Sequence, residues 1–290
     1  MAITAADVKK LREQTGVGMM DCKKALTQAN GDFEAAIALL REKGIAVAAK
    51  REDRTAAEGV LVIKNAGKAI SMVELNCETS FVAANDDFMA LASEIADKAC
   101  GFEGSVDDLK AQTLASGRTI AEAITDSMAR IGEKIDCPRF ACLTAGPADA
   151  LDGYVHSDKL KGVIVKLTCD NEAVAADPET ARLAKDIAMH AAWTAPKYLD
   201  AKDVPEEEVE KEREIQINRA KEEGKPEEIA RKMVEGRLRK EFFANICLTQ
   251  QPYIKDEKMT VEKLVSEYAK SKGCKVSIAA FVRFRVGEQS

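Results

Sequence analysis

An internal duplication limits this chain more than any other feature. Displaced by 92 positions, "VELNCETSFVAANDDFMALASEIADKA" (residues 73–99) lies without a gap over "VKLTCDNEAVAADPETARLAKDIAMHA" (residues 165–191). Eleven positions agree, among them Leu75/Leu167, Cys77/Cys169, Val82/Val174, Leu91/Leu183 and Ile95/Ile187, and upstream Glu58-Gly59 echoes Asp152-Gly153. Self-similarity at a fixed offset means one supersecondary unit used twice. The unit reads as hairpin, loop and helix. Val60–Lys64 and Ala69–Leu75 alternate as strands around the turn residues Asn65-Ala66-Gly67, and helical spacing follows from about Asp87 to Ala99. Two such units predict an α+β fold whose duplicated core carries antiparallel sheets. Positions where the copies differ are those the fold leaves free, and Phe81 stands opposite Ala173.

The remaining segments attach to that core. Residues 1–45 read as three short helices: Thr4 with Asp7 caps the first, Gly16-Val17-Gly18 interrupts, Asp32 caps the third, and Gly44 stops it. The stripes Val8/Leu11, Met19/Cys22/Leu26 and Phe33/Ala36/Ile37/Leu40 are the expected core of this module. Residues 46–57 form a charged linker with a helical start, and residues 58–145 are the first half of the core. The second half comprises residues 146–203 and 244–290. Between those two pieces lies an insertion, residues 204–243, whose narrow apolar stripes (Val209, Ile217 and Ala220; Ile229, Met233, Val234 and Leu238) predict a protruding antiparallel helical hairpin. Gly224 ends its first helix and Pro226 begins the second. Val276–Val286 then alternates as a strand.

Composition excludes several classes. A net charge of -6 and a pI near 5.3 disfavour nucleic acid as a partner. No stretch approaches the roughly 20 apolar residues that span a bilayer, and the N-terminus lacks a signal core, so a cytoplasmic protein is expected. The eight cysteines form no CxxC pair and the chain has two histidines, so no metal or other cofactor is expected. No phosphate-binding glycine loop and no GxSxG occurs, and neither His156 nor His190 has an obvious nucleophile beside it. An enzyme is therefore not expected.

Two readings stay open for each candidate residue. Phe81 is either a staple onto its own core or a side chain left out for a partner. Met19 and Lys23-Lys24 are either inner-face packing and solvated charge or a docking surface. The hairpin is either a strut or an interaction arm.

"TGVGMMDCKKALTQANGDFEAAI" closely resembles the N-terminal signature of the bacterial elongation factor Ts family. "VELNCETSFVA", "IAMHAA", "EGKPEEIARKMVEGRL" and "LTQQPYIKD" follow in family order, so the likeness covers essentially the whole chain. The resemblance implies a guanine-nucleotide exchange factor for elongation factor Tu in translation elongation, without covalent chemistry. It implies a ubiquitin-associated-like (UBA-like) N-terminal module, a duplicated core and a coiled-coil hairpin. It implies that Arg12, Met19, Met20, Lys23 and Lys24 dock on the partner's GTPase domain. By the same likeness, the loop Thr79, Ser80, Phe81 and Val82 enters beside the partner's magnesium and phosphate site, and His156 lies near a contact with another partner domain. The family usually carries Asp where this chain has Ser80, which can hydrogen-bond but supplies no charge. A homodimer is left open.

Overall fold

The computed structural model describes residues 3–224 and 227–288. The chain divides into two compact units, one formed by Met1–Lys64, Ser71–Cys142 and Phe284–Ser290, the other by Asn65–Ile70 and Leu143–Arg283.

The first unit begins with α1 (Ala5–Thr15), α2 (Met19–Gln28) and α3 (Phe33–Ala49). Thr4 and Asp7 form the expected reciprocal cap, and Asp32 accepts from the amides of Glu34 and Ala35. Val8, Leu11, Cys22, Ala25, Leu26, Ala36 and Leu40 close a small core among these helices. Gly44 does not stop α3, which continues to Ala49. A Cβ at Gly44 would lie 3.2 Å from the Cβ of Ala129. The missing side chain thus lets α3 pack closely on a later helix, which offsets the roughly 1 kcal/mol that glycine costs inside a helix.

Strands β1 (Glu58–Asn65) and β2 (Ala69–Cys77) follow, then a single helical turn α4 (Ser80–Ala83), α5 (Asp86–Ala99), α6 (Val106–Lys110), α7 (Ile120–Ile131) and β3 (Asp136–Thr144). The sheet order is β1-β2-β3. β2 is central and therefore buried along its whole length. Its odd positions Val73, Leu75 and Cys77 join Phe88, Leu91, Ile95, Ile120, Ile124 and Ile135 in one core. Each large apolar side chain buried there contributes about 1.5–3 kcal/mol. The even position Glu74 is a buried carboxylate. It accepts from Arg139 Nε at 2.7 Å and from the Gly287 amide at 2.9 Å, while Arg139 also donates to the Arg285 carbonyl and lies over the Phe284 ring. This clasp holds the C-terminal residues to the first unit.

The second unit repeats the plan. It contains β4 (Asp149–Val155), β5 (Lys161–Cys169), the short turn α8 (Glu172–Ala175) and α9 (Pro178–Thr194). β2 with α4, and β5 with α8, begin and end 92 positions apart, and α5 and α9 begin at the same offset. β4 pairs antiparallel with β5, Asp149 opposite Thr168 and Val155 opposite Gly162. Next come α10 (Glu206–Glu222) and α11 (Glu227–Arg237). α11 runs into six residues of π-helix, Leu238–Phe243, and then α12 (Ala244–Ile246). β6 (Pro252–Tyr253), β7 (Asp256–Thr260), α13 (Val261–Lys272) and β8 (Val276–Arg285) complete the chain, with sheet order β4-β5-β8. Val163, Val165, Leu167, Leu183, Ile187, Leu248, Val261 and Val265 form the core of this unit.

α10 and α11 pack together through Ala220, Val234 and Leu238, and ion pairs Arg213–Glu235, Arg219–Glu241 and Arg237–Glu223 cross between the two arms. The sequence puts Ile229 on this seam, but it is half exposed, as is Ile215. Pro226, expected to start the second helix, lies outside the described residues. In β8 the residues expected on one face are Val276, Ile278, Ala280, Val282, Phe284 and Val286; Val276 and Ile278 pack on the second core and Phe284 is buried, but Phe281, of the opposite parity, also packs on that core.

Candidate functional site

The exit of β2 builds the most unusual surface. Cys77 is buried, and its thiol hydrogen-bonds the Thr79 carbonyl at 3.2 Å. Burial pushes that thiol up to about 12, so it is inert at neutral pH. The next two residues are tethered by a carboxylate far along the chain. Glu133 accepts from the amides of Glu78 and Thr79 at 3.2 and 3.0 Å and from the Thr79 hydroxyl at 2.7 Å. Glu78 in turn accepts from the Lys134 amide at 2.6 Å, Arg54 at 3.1 Å and Arg51 at 3.4 Å. These contacts, led by the Lys134 amide, lower the Glu78 carboxyl below its usual range.

From this base α4 makes one turn. The Ala83 amide bonds back to the Thr79 carbonyl and the Ala84 amide to the Ser80 carbonyl. Val82 and Ala83 pack against the first core. Ser80 is exposed, and Phe81 is 88% exposed, so its ring does not close onto its own core. In the second copy, Asn171 caps the matching turn by accepting from the Ala173 amide at 2.9 Å, and Ala173 is exposed. Thr79 makes no such cap, because its hydroxyl is spent on Glu133.

The same unit carries the N-terminal candidates. Arg12, Met20, Lys23 and Lys24 are exposed. Met19, whose spacing suggests an inner position, is 41% exposed and Met20 65%, while Ala25 fills the core beside Cys22 and Leu26. Two neighbouring methionines in solvent, with Lys23 and Lys24 one helical turn further along, give an adaptable apolar surface beside positive charge.

His156 belongs to the other unit. It sits on the β4–β5 turn, and its Nδ1 lies 2.8 Å from the Tyr154 hydroxyl. With Tyr154, Lys161, Met189, Ala192 and Ile254 it lines a cleft of about 120 Å³ beside Trp193. Trp193, which sequence reasoning did not single out, is 76% exposed. The signal was present: the buried positions Ala184, Ile187, Ala188 and Ala191 define the inner stripe of α9, and Trp193, the only tryptophan, falls off it.

Among the described residues no cluster of His, Cys, Asp and Glu is arranged to hold a metal, and no helix is long and apolar enough to cross a membrane. Large apolar side chains left in solvent on an α+β fold, Phe81, Met20 and Trp193 among them, mark the surfaces of a protein-docking factor. The family model for elongation factor Ts matches residues 78–288, and the chain belongs to that family. Membership brings the role of nucleotide exchange factor for elongation factor Tu in translation elongation, which involves no covalent chemistry.

Proposed function

We propose that the Phe81 turn is the element by which this chain loosens nucleotide on its partner, entering beside the magnesium and phosphate site. The observation that carries this reading is an aromatic ring 88% exposed on a turn whose base is fixed by Glu133 and Val82. GDP held at nanomolar affinity corresponds to about -12 kcal/mol. Exchange requires the factor to bind the empty partner better than the loaded one, and reciprocity then weakens nucleotide by the same ratio. A ten-thousand-fold effect needs about 5.5 kcal/mol of such coupling. A turn whose base is already tethered gives up little backbone freedom on entry, so more of the ring's contact energy is available as coupling.

Thr79 and Val82 anchor the turn, Ser80 lies at its tip and Phe81 is the wedge. The three-helix module, read as UBA-like, docks on the GTPase domain through Arg12, Met19, Met20, Lys23 and Lys24. His156, joined by Trp193, contacts another partner domain, and α10 with α11 forms a coiled-coil arm. The segment boundaries of the sequence reading and a cytoplasmic setting belong to the same reading.

Phe81→Ala tests it. Because the ring is exposed, unfolding free energy changes by less than about 0.5 kcal/mol. Stimulated GDP release at saturating factor falls about 30-fold or more, as for a hot-spot aromatic worth at least 2 kcal/mol. Partner binding is measured separately. An unchanged release rate removes the wedge from the account. Ser80→Asp, at an exposed position, changes release modestly and leaves the melting temperature in place.

A further inference from the structure

We infer that Cys100 and Cys142 form a dithiol site that a low-molecular-weight disulfide, such as oxidised glutathione, converts into an intramolecular disulfide. α5 ends at Ala99, so Cys100 opens the turn that follows, and Cys142 lies near the end of β3. The Gly101 amide donates to Cys142 Sγ at 3.1 Å. That amide nitrogen is about 2.4 Å from the Cys100 Cα, so the Cys142 sulfur lies within about 5.5 Å of it. The two cysteines are therefore direct neighbours. Phe102 and Phe140, one from each segment, meet as a tilted pair with centroids 5.9 Å apart and pack the two segments together.

Access separates this pair from most of the other thiols. Cys22, Cys77, Cys137, Cys169 and Cys247 are buried, whereas Cys100, Cys142 and Cys274 are half-buried, and of these three Cys100 and Cys142 are neighbours. Cys142 lines an open groove of about 420 Å³ together with Phe102, Glu103, Pro138, Arg139 and Phe140. A tripeptide oxidant can reach Cys142 along it, and Cys100 adjoins that residue. Burial raises the Cys142 thiol, and the neighbouring Cys100 adds to that rise. In the proposed step Cys100 is the first nucleophile and Cys142 the resolving thiol.

The Cys100 thiolate attacks one sulfur of the oxidant. A Cys100–glutathione bond forms, the glutathione S–S bond breaks, and one glutathione thiolate leaves. Cys142 then releases its proton to water and attacks Cys100 Sγ, which expels the second glutathione thiolate. Two protein thiols lose two electrons and two protons, and one low-molecular-weight disulfide becomes two thiols. The product ties the end of α5 to β3.

The test incubates the full chain, folded, with excess oxidised glutathione, followed by acid quench, alkylation and peptide mapping without reduction. The expected product is a Cys100–Cys142 linked peptide that dithiothreitol removes, in a protein that melts several degrees higher than the reduced form. Cys142→Ser is expected to stop with one glutathione on Cys100. Cys100→Ser is expected to abolish both the link and the melting shift. Absence of the linked peptide from the folded wild-type chain overturns the proposal, and so does a Cys142→Ser protein that takes up no glutathione on Cys100.

Discussion

Glu133 gives the sharpest perturbation of the presenting turn, because three hydrogen bonds converge on it from Glu78 and Thr79. Hydrogen bonds to a charged group are worth roughly 1.5–3 kcal/mol each. Glu133 is only half-buried, and the freed amides can find water, so Glu133→Ala is expected to cost about 2–4 kcal/mol rather than the full sum. Glu133→Gln is the control. Its amide oxygen can accept from both backbone N–H groups and its NH₂ can donate to the Thr79 hydroxyl, which limits the loss to about 1 kcal/mol. Urea denaturation measures the difference. Amide exchange at Ala83 and Ala84, whose bonds run to the Thr79 and Ser80 carbonyls, reads the turn directly and is expected to accelerate in the alanine variant. With Phe81 still present but carried on a loosened turn, stimulated GDP release is expected to fall about tenfold, equivalent to about 1.4 kcal/mol. An alanine variant that unfolds at the parent urea concentration and stimulates release at the parent rate refutes the tether.

Gly59 has φ +155°, and a Cβ there would lie 2.3 Å from the Leu75 carbonyl oxygen. Gly59→Ala is expected to destabilise by about 3 kcal/mol, against about 1 kcal/mol for Gly67→Ala, where nothing lies within 4 Å; equal urea midpoints for the two variants would contradict this. His190 is buried, with the Ile254 amide donating to Nδ1 at 3.3 Å and Nε2 lying 3.0 Å from Gln251 Oε1, and burial lowers its pKa below 6.5. The unfolded chain therefore binds a proton there before the folded chain does, and stability falls as pH drops below about 6.5 until the folded value is passed. Urea midpoints at pH 7.5 and 5.5 are expected to differ less in His190→Gln than in the parent, and an identical difference would exclude His190 as the source. Arg139→Met leaves the buried Glu74 carboxylate without its charged partner and is expected to cost about 3–5 kcal/mol. Denaturation of Glu74→Gln/Arg139→Met is expected to recover part of that, and a double variant no better than the single one would show that the charge is not the issue.

The duplication was legible because element lengths follow apolar spacing, and both copies keep that spacing from β-strand to helix. The caps at Thr4 and Asp32 were legible for a local reason: donor and acceptor lie within three residues of each other. Gly44 was misread because a glycine that ends a helix and one that admits a neighbouring helix look alike in sequence; only the approach of Ala129 separates them. Met19 and Ile229 obeyed a helical period yet stand in solvent, since periodicity fixes the stripe but not which edge of it a neighbour covers. Residue type alone makes Phe81 a core candidate. Its pairing with Ala173 pointed the other way, and the exposed ring agrees with that hint. Glu133 was beyond reach, because a carboxylate more than fifty residues from the atoms it holds leaves no local pattern.

Ala173 occupies the same station as Phe81 on a turn with identical bounds, so the chain carries two matched pedestals and only one bears cargo. Aromatics of other sizes, a fluorophore or a photo-crosslinking residue can be grafted at position 81 without moving the interior. The empty pedestal supplies, within the same polypeptide, the blank against which each graft is compared.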